Sequence, residues 1–156
     1  MKKFLYITLL VAGFCAMAQV PTDGLVAYFP FNSSTDDSSG NGHNLTATGG
    51  VASTTDRFGN PNSAASFDGT SGYFSGGSSG EFENELHTIS VWVRSSKTGF
   101  QAIAGYMGDQ GNEGYYLNIN TDGEFSLLEG SGGINYDYAY SDDLYANDGV
   151  WHHVVG

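Results

Sequence analysis

Asp37, Ser39 and Asn41 stand at alternate positions of one stretch and are followed by Gly42. Side-chain oxygens at positions one, three and five, with a turn-forming glycine at six, make the first half of a calcium loop, in which hard oxygen ligands converge on one ion. The carboxylate such a loop needs at position twelve is absent, because Thr48 stands there. Any ion would therefore draw further ligands from elsewhere. The same residue types also close Asx turns on their own backbone, and both readings stand at this point.

Glu81, Glu83 and Glu85 alternate as well. On a strand their carboxylates would leave one face, which is how a single strand can hold a nucleophile and an acid. The stretch follows Gly76, Gly77, Ser78, Ser79 and Gly80 and lacks the apolar backing that keeps a catalytic strand rigid. A solvated acidic loop is expected, and no catalytic residue is assigned. His152 and His153 are neighbours, so on a strand they leave opposite faces and cannot clasp one metal. Both are expected to be structural, and His43 and His87 have no Ser or Cys nucleophile placed with them.

Tyr136, Tyr138 and Tyr140 share one side of a run whose other side carries Asn135 and Asp137. Rings that stack beside amide and carboxylate groups suit sugars. Ile134 falls on the tyrosine side, which favours the alternative, a ladder facing the core. Ligand-binding residues are accordingly left unassigned.

The elements that must position these groups are short strands. No window keeps helical periodicity, and apolar residues alternate in runs separated by Gly, Asn, Asp and Ser, the pattern of an antiparallel β protein. Leu25, Ala27, Phe29 and Phe31 share one face of an expected first strand, and Ile89, Val91 and Val93 share another. Leu117 and Ile119 precede Thr121-Asp122-Gly123, and Phe125 and Leu127 follow it. Asp-Gly between two alternating runs is the strongest short hairpin signal in the chain. Roughly nine or ten strands at this spacing predict an all-β, antiparallel two-sheet sandwich.

The first eighteen residues read as a signal peptide rather than fold: Lys2 and Lys3, an apolar run from Phe4 to Phe14, and Ala16-Met17-Ala18 before Gln19. That run is too short for a membrane span. Phe14 stands where lipidation of Cys15 would need a small residue, so ordinary secretion, to the medium or the cell surface, is expected. All 17 acids lie beyond this segment, opposed there only by Arg57, Arg94 and Lys97. Such a surface repels phosphate backbones and excludes nucleic acid as a partner. Residues 19–156 are within the size of one domain and contain no cysteine.

Four blocks carry a resemblance: Gly24-Leu25-Val26-Ala27-Tyr28-Phe29-Pro30-Phe31; Asp37-Ser38-Ser39-Gly40-Asn41-Gly42-His43; Asp56-Arg57-Phe58-Gly59-Asn60 leading to Ala64-Ala65-Ser66-Phe67-Asp68-Gly69; and Trp151-His152-His153-Val154-Val155-Gly156. Together they resemble the laminin-G-like, concanavalin A-like jelly-roll modules of secreted bacterial proteins. The resemblance runs over residues 24–156 and implies one jelly roll over 19–156. In the family further strands follow the last block, so the chain is expected to be truncated at its C-terminus, with further domains downstream. Residues 19–156 alone are then expected to be unstable, because sandwiches interleave early and late strands.

Members that bind calcium take ligands from loops at one rim, which implies Asp37 with Asn41, and Asp68 across the rim. Ser71 and Gly72 stand where members often carry acids, a departure that weakens this transfer. Trp92 matches an aromatic that the family buries between its sheets and is expected in the core. The resemblance implies a secreted, non-catalytic recognition module for glycans or other extracellular polymers. Two alternatives stay open. One is a glycoside hydrolase of the same fold, since Glu81 to Glu85 imitate its acidic strand with Glu in place of the central Asp. The other is a structural or adhesive spacer of a larger surface protein.

Overall fold

The hairpin signal at Thr121-Asp122-Gly123 is built as its residues require. Gly123 sits at φ +93°, a left-handed conformation that side chains rarely adopt. The Asn120 side-chain oxygen accepts the N–H groups of Asp122 and Glu124 and so closes the turn. On either side run β7 (Gly114–Ile119) and β8 (Glu124–Gly130), paired antiparallel with Leu117 opposite Leu127 and Ile119 opposite Phe125. The computed structural model describes residues 20–76, 80–82, 86–107, 114–130 and 136–156. The expected signal segment, Cys15 and Ile134 lie outside these residues.

Earlier in the chain come β1 (Thr46–Thr48), β2 (Val51–Thr54), β3 (Ala64–Phe67), β4 (Tyr73–Ser75), β5 (Ser90–Val93) and β6 (Gln101–Met107). Later come β9 (Tyr136–Tyr145) and β10 (His152–Val155). All pairings are antiparallel: β1 with β4, β2 with β3, β5 with β10, and a four-stranded sheet in the order β6-β7-β8-β9. The chain is thus the all-β antiparallel sandwich that the alternation predicts. Among the described residues no helix is long and apolar enough to cross a membrane.

Alternation decides what each face of the four-stranded sheet does. Its inner face carries Leu117, Ile119, Phe125 and Leu127 toward the β5–β10 pair. Ile119 and Phe125, 1% and 4% exposed, join Ala146 in a cluster against which Val93, Val154 and Ile103 pack. Burying side chains of this kind stabilises by about 1.5–3 kcal/mol each, and here the burial joins the two layers. The outer face carries Tyr116 and Asn118 from β7, Ser126 and Leu128 from β8, and Tyr138 and Tyr140 from β9. These stand in register, Asn118 opposite Ser126 and Ser126 opposite Tyr140.

The expected first strand does not form a ladder. Leu25 to Phe31 run without sheet pairing, because the loop beyond them takes their backbone groups instead. The Tyr28 N–H donates to Asp37, and the Asn41 amide donates to the carbonyls of Leu25 and Val26. The apolar side chains still pack: Phe31 stacks on Phe74 at 5.4 Å, and Phe67 meets Phe74 edge-on. Gly49, at φ +68°, lets the β1–β2 turn settle on the turn before β4, since a Cβ there would lie 2.2 Å from the Ser71 carbonyl oxygen.

Candidate functional site

The outer face of the four-stranded sheet is a polar floor fenced by aromatic rings. Phe100, Tyr116, Asn118, Ser126, Tyr138 and Tyr140 line a surface cavity of about 200 Å³. Tyr138 and Tyr140 lie two residues apart on β9, so their rings leave the same side and stack 5.9 Å apart with planes only 6° from parallel. They are 52% and 53% exposed. The expectation that this tyrosine ladder faces the core is therefore corrected for Tyr138 and Tyr140: Ala139, between them and opposite Leu127, takes the other face of β9. Phe100 closes the other side and meets Tyr116 edge-on at 6.1 Å.

Between these rings the sheet buries polar groups. Asn118 and Ser126 are 3% and 4% exposed, and the Ser126 hydroxyl donates to the Asn118 carbonyl oxygen over 3.1 Å. The amide nitrogen of Asn118 has no hydrogen-bond acceptor among the described residues. A buried donor left without an acceptor costs about 1–3 kcal/mol, and native structures carry few. Turning the amide over would only exchange which of its ends lacks a partner. No motif in the sequence marks Asn118 or Ser126. The available signal was the alternation itself: Leu117 and Ile119 face inward, so Asn118 between them must share the other face with Tyr116.

A larger cleft of about 620 Å³ lies between Phe31, Ala47, Val51 and Phe74 near the start of the described chain. Two of its hydroxyls are committed, Ser33 to the Asn62 carbonyl and Thr35 to the Leu45 carbonyl.

The three residues expected at a metal lie in two separate hydrogen-bonded cradles. Asp37 accepts from the N–H groups of Tyr28, Ser39 and His43 and from the Ser39 hydroxyl. Partial burial pushes its carboxyl up, but these four donors outweigh that and hold it well below the usual range. Asp68 accepts from the N–H groups of Ser71, Thr70 and Gly72 and from the Ser71 hydroxyl, and these hold it equally low. A carboxylate offers about four lone-pair positions; Asp37 meets two donors on each oxygen, and Asp68 meets three N–H groups on Oδ1 and the Ser71 hydroxyl on Oδ2. Among the described residues no three His, Cys, Asp or Glu side chains converge as a metal site would need.

Glu81 belongs to a single 3-10 turn, Gly80–Phe82, while Glu83 and Glu85 lie outside the described residues. His152 and His153 do leave opposite faces. His152 points inward, edge-on to Phe125, with its Nε2 3.0 Å from Asp148, and His153 stacks outward on Trp92. His43 is buried against Phe82, and His87 stacks on Tyr115, whose phenol is pushed up by burial. Trp92 is not in the core. Val93 takes the inward position on β5, which leaves Trp92 outward and 42% exposed.

Comparison with known proteins finds one family model, described as the concanavalin A-like lectin/glucanases superfamily, matching residues 68–156. No curated protein and no solved structure matches.

Proposed function

We propose that this chain, which belongs to the concanavalin A-like lectin/glucanases superfamily, is a secreted, non-catalytic module that binds a neutral saccharide on the outer face of β6-β7-β8-β9. The observation that carries the reading is Asn118: a buried amide with an open end, on a floor bordered by Tyr116, Tyr138, Tyr140 and Phe100. Aromatic faces cover the apolar C–H side of a pyranose, and the amide gains the partner it lacks from a hydroxyl. The cavity is smaller than the roughly 300–1,000 Å³ of drug-sized sites, so it suits one ring of a longer glycan. Lys2, Lys3, the apolar run after them and Ala16-Met17-Ala18 support export.

A test expresses the full coding sequence with its own leader, recovers the exported protein and applies it to an array of neutral and charged glycans. The expected result is a protein beginning at Gln19 that retains a subset of neutral glycans. Hydrolysis of the retained glycans, or retention of none, would contradict the reading.

For Asp37, Asn41 and Asp68 we favour a mechanical role over calcium ligation, supported by the four donors on each carboxylate. An ion at Asp37 would have to displace those donors. The sign of the pH dependence follows from the depressed carboxyls. Between their folded values and the unfolded value of about 4, the unfolded chain binds more protons. The stability they contribute is present above about pH 4 and is lost as pH falls through the folded values. Asp37→Asn and Asp68→Asn are expected to lower Tm at neutral pH and to flatten its fall below about pH 4. Chelator is expected to leave Tm unmoved. A Tm raised by calcium and dependent on Asp37 would restore the metal reading.

A further inference from the structure

Arg57 and Arg94 are the only arginines in a chain with 17 acids and a formal charge of −12. Neither pairs with a carboxylate among the described residues. Both lie on aromatic rings at the outer side of the β5–β10 pair, the layer opposite the saccharide face. The Arg57 guanidinium carbon stands 4.1 Å from the Phe58 ring centre and 4.4 Å from that of Trp92, and the Arg94 carbon stands 5.0 Å from that of Trp151. His153 stacks on Trp92 at 4.9 Å and is tied to Ser90 across 2.9 Å. The acid nearest in sequence, Asp56, feels the Arg57 charge but makes no ion pair with it, and accepts the Phe58 and Asn60 N–H groups and the Asn60 amide.

We infer that this cationic and aromatic face is a second binding site, for a carboxylate borne on a sugar. Two rings lie against the exposed Arg57 side chain, and a guanidinium is the group that grips a carboxylate with two parallel hydrogen bonds. Phe58 is 73% exposed and offers a pyranose an apolar surface beside that carboxylate. The rest of the chain opposes a polyanion. Its repulsion is screened beyond about 8–10 Å at ordinary salt, so a single carboxylate at the arginines escapes what an acidic polymer or acidic peptide run would meet. The inference extends the glycan reading to a charged sugar but uses other residues, so either can fail alone.

Both tryptophans of the chain, Trp92 and Trp151, belong to this face and neither belongs to the tyrosine-lined cavity. Tryptophan emission therefore reports this site separately. The experiment titrates the purified protein at about 0.1 M salt with a disaccharide ending in glucuronic acid, with its glucose-ended counterpart, and with a glutamate tripeptide. The expected result is a saturable emission change with the acidic sugar only, weakened by added salt. Arg57→Gln is expected to weaken it about tenfold or more, the size of one charged hydrogen-bond pair, with Tm and neutral-glycan retention preserved. Arg57→Lys, which keeps the charge and loses the fork, is expected to weaken it as well. An equal response to the glucose-ended sugar, a stronger one to the tripeptide, or unchanged affinity in both variants would overturn the assignment.

Discussion

Phe125→Ala is expected to remove about 3–5 kcal/mol of stability, the usual cost of truncating a buried phenylalanine. The ring is 4% exposed, packs with Ile119 and Ala146, and meets His152 of β10 edge-on. It joins one layer to the other, and a cavity there would be felt by both. Folded domains carry only about 5–15 kcal/mol in total, so the variant should be partly unfolded at room temperature or melt far below the parent. Leu86→Ala is the control, since that side chain is 93% exposed and surface changes usually stay within about 0.5 kcal/mol. Urea denaturation of the two variants beside the parent measures both effects. A Phe125→Ala loss no larger than the Leu86→Ala loss would mean that the two sheets are not held together by this cluster.

The second large effect concerns the saccharide face. Replacing both Tyr138 and Tyr140 by Ala is expected to abolish retention of neutral glycans while changing Tm little, because the rings are half exposed and stack on each other rather than in the core. Aromatic anchors of this kind cost about 2 kcal/mol or more when truncated, which is over tenfold in affinity for each ring. Titration of the retained glycan against parent and variant, with circular dichroism as the folding control, reads the effect. Full affinity in the double variant would move the site elsewhere.

What the sequence disclosed, and what it hid, follow from one rule applied with different amounts of information. Alternation with Asp122-Gly123 between two runs was enough for the β7–β8 hairpin, because turn chemistry and strand period are both local. Alternation in Leu25 to Phe31 was equally regular, yet no ladder formed, because the backbone partners came from the side chains of Asp37 and Asn41, a competition that periodicity does not register. The facing of a strand is harder still. Alternation puts Val91 and Val93 on one face of β5 and Trp92 with Ser90 on the other, whereas the resemblance implies a buried Trp92, and the packing of Val93 against the core follows the alternation. Alternation alone left the tyrosines of β9 between core and surface. Asn118 was legible only in retrospect, since a lone Asn between Leu117 and Ile119 reads as an ordinary interruption until both its neighbours are known to be buried. The Asp37 and Asp68 loops show the converse, where residue types suited to an ion are also those that close a turn.

The central claim is that the open amide of Asn118 is the polar contact of a saccharide site, and the most direct measurement is NMR of its side-chain NH₂ group. In protein labelled with ¹⁵N, the two amide proton signals of Asn118 should be assigned and followed during titration with a glycan retained on the array. They are expected to shift on binding, together with the rings of Tyr138 and Tyr140, and Asn118→Ala is expected to weaken binding by about tenfold or more, as the loss of a buried hydrogen bond to ligand would. If the Asn118 signals stay fixed while resonances on another face move, the saccharide binds elsewhere and the account is wrong.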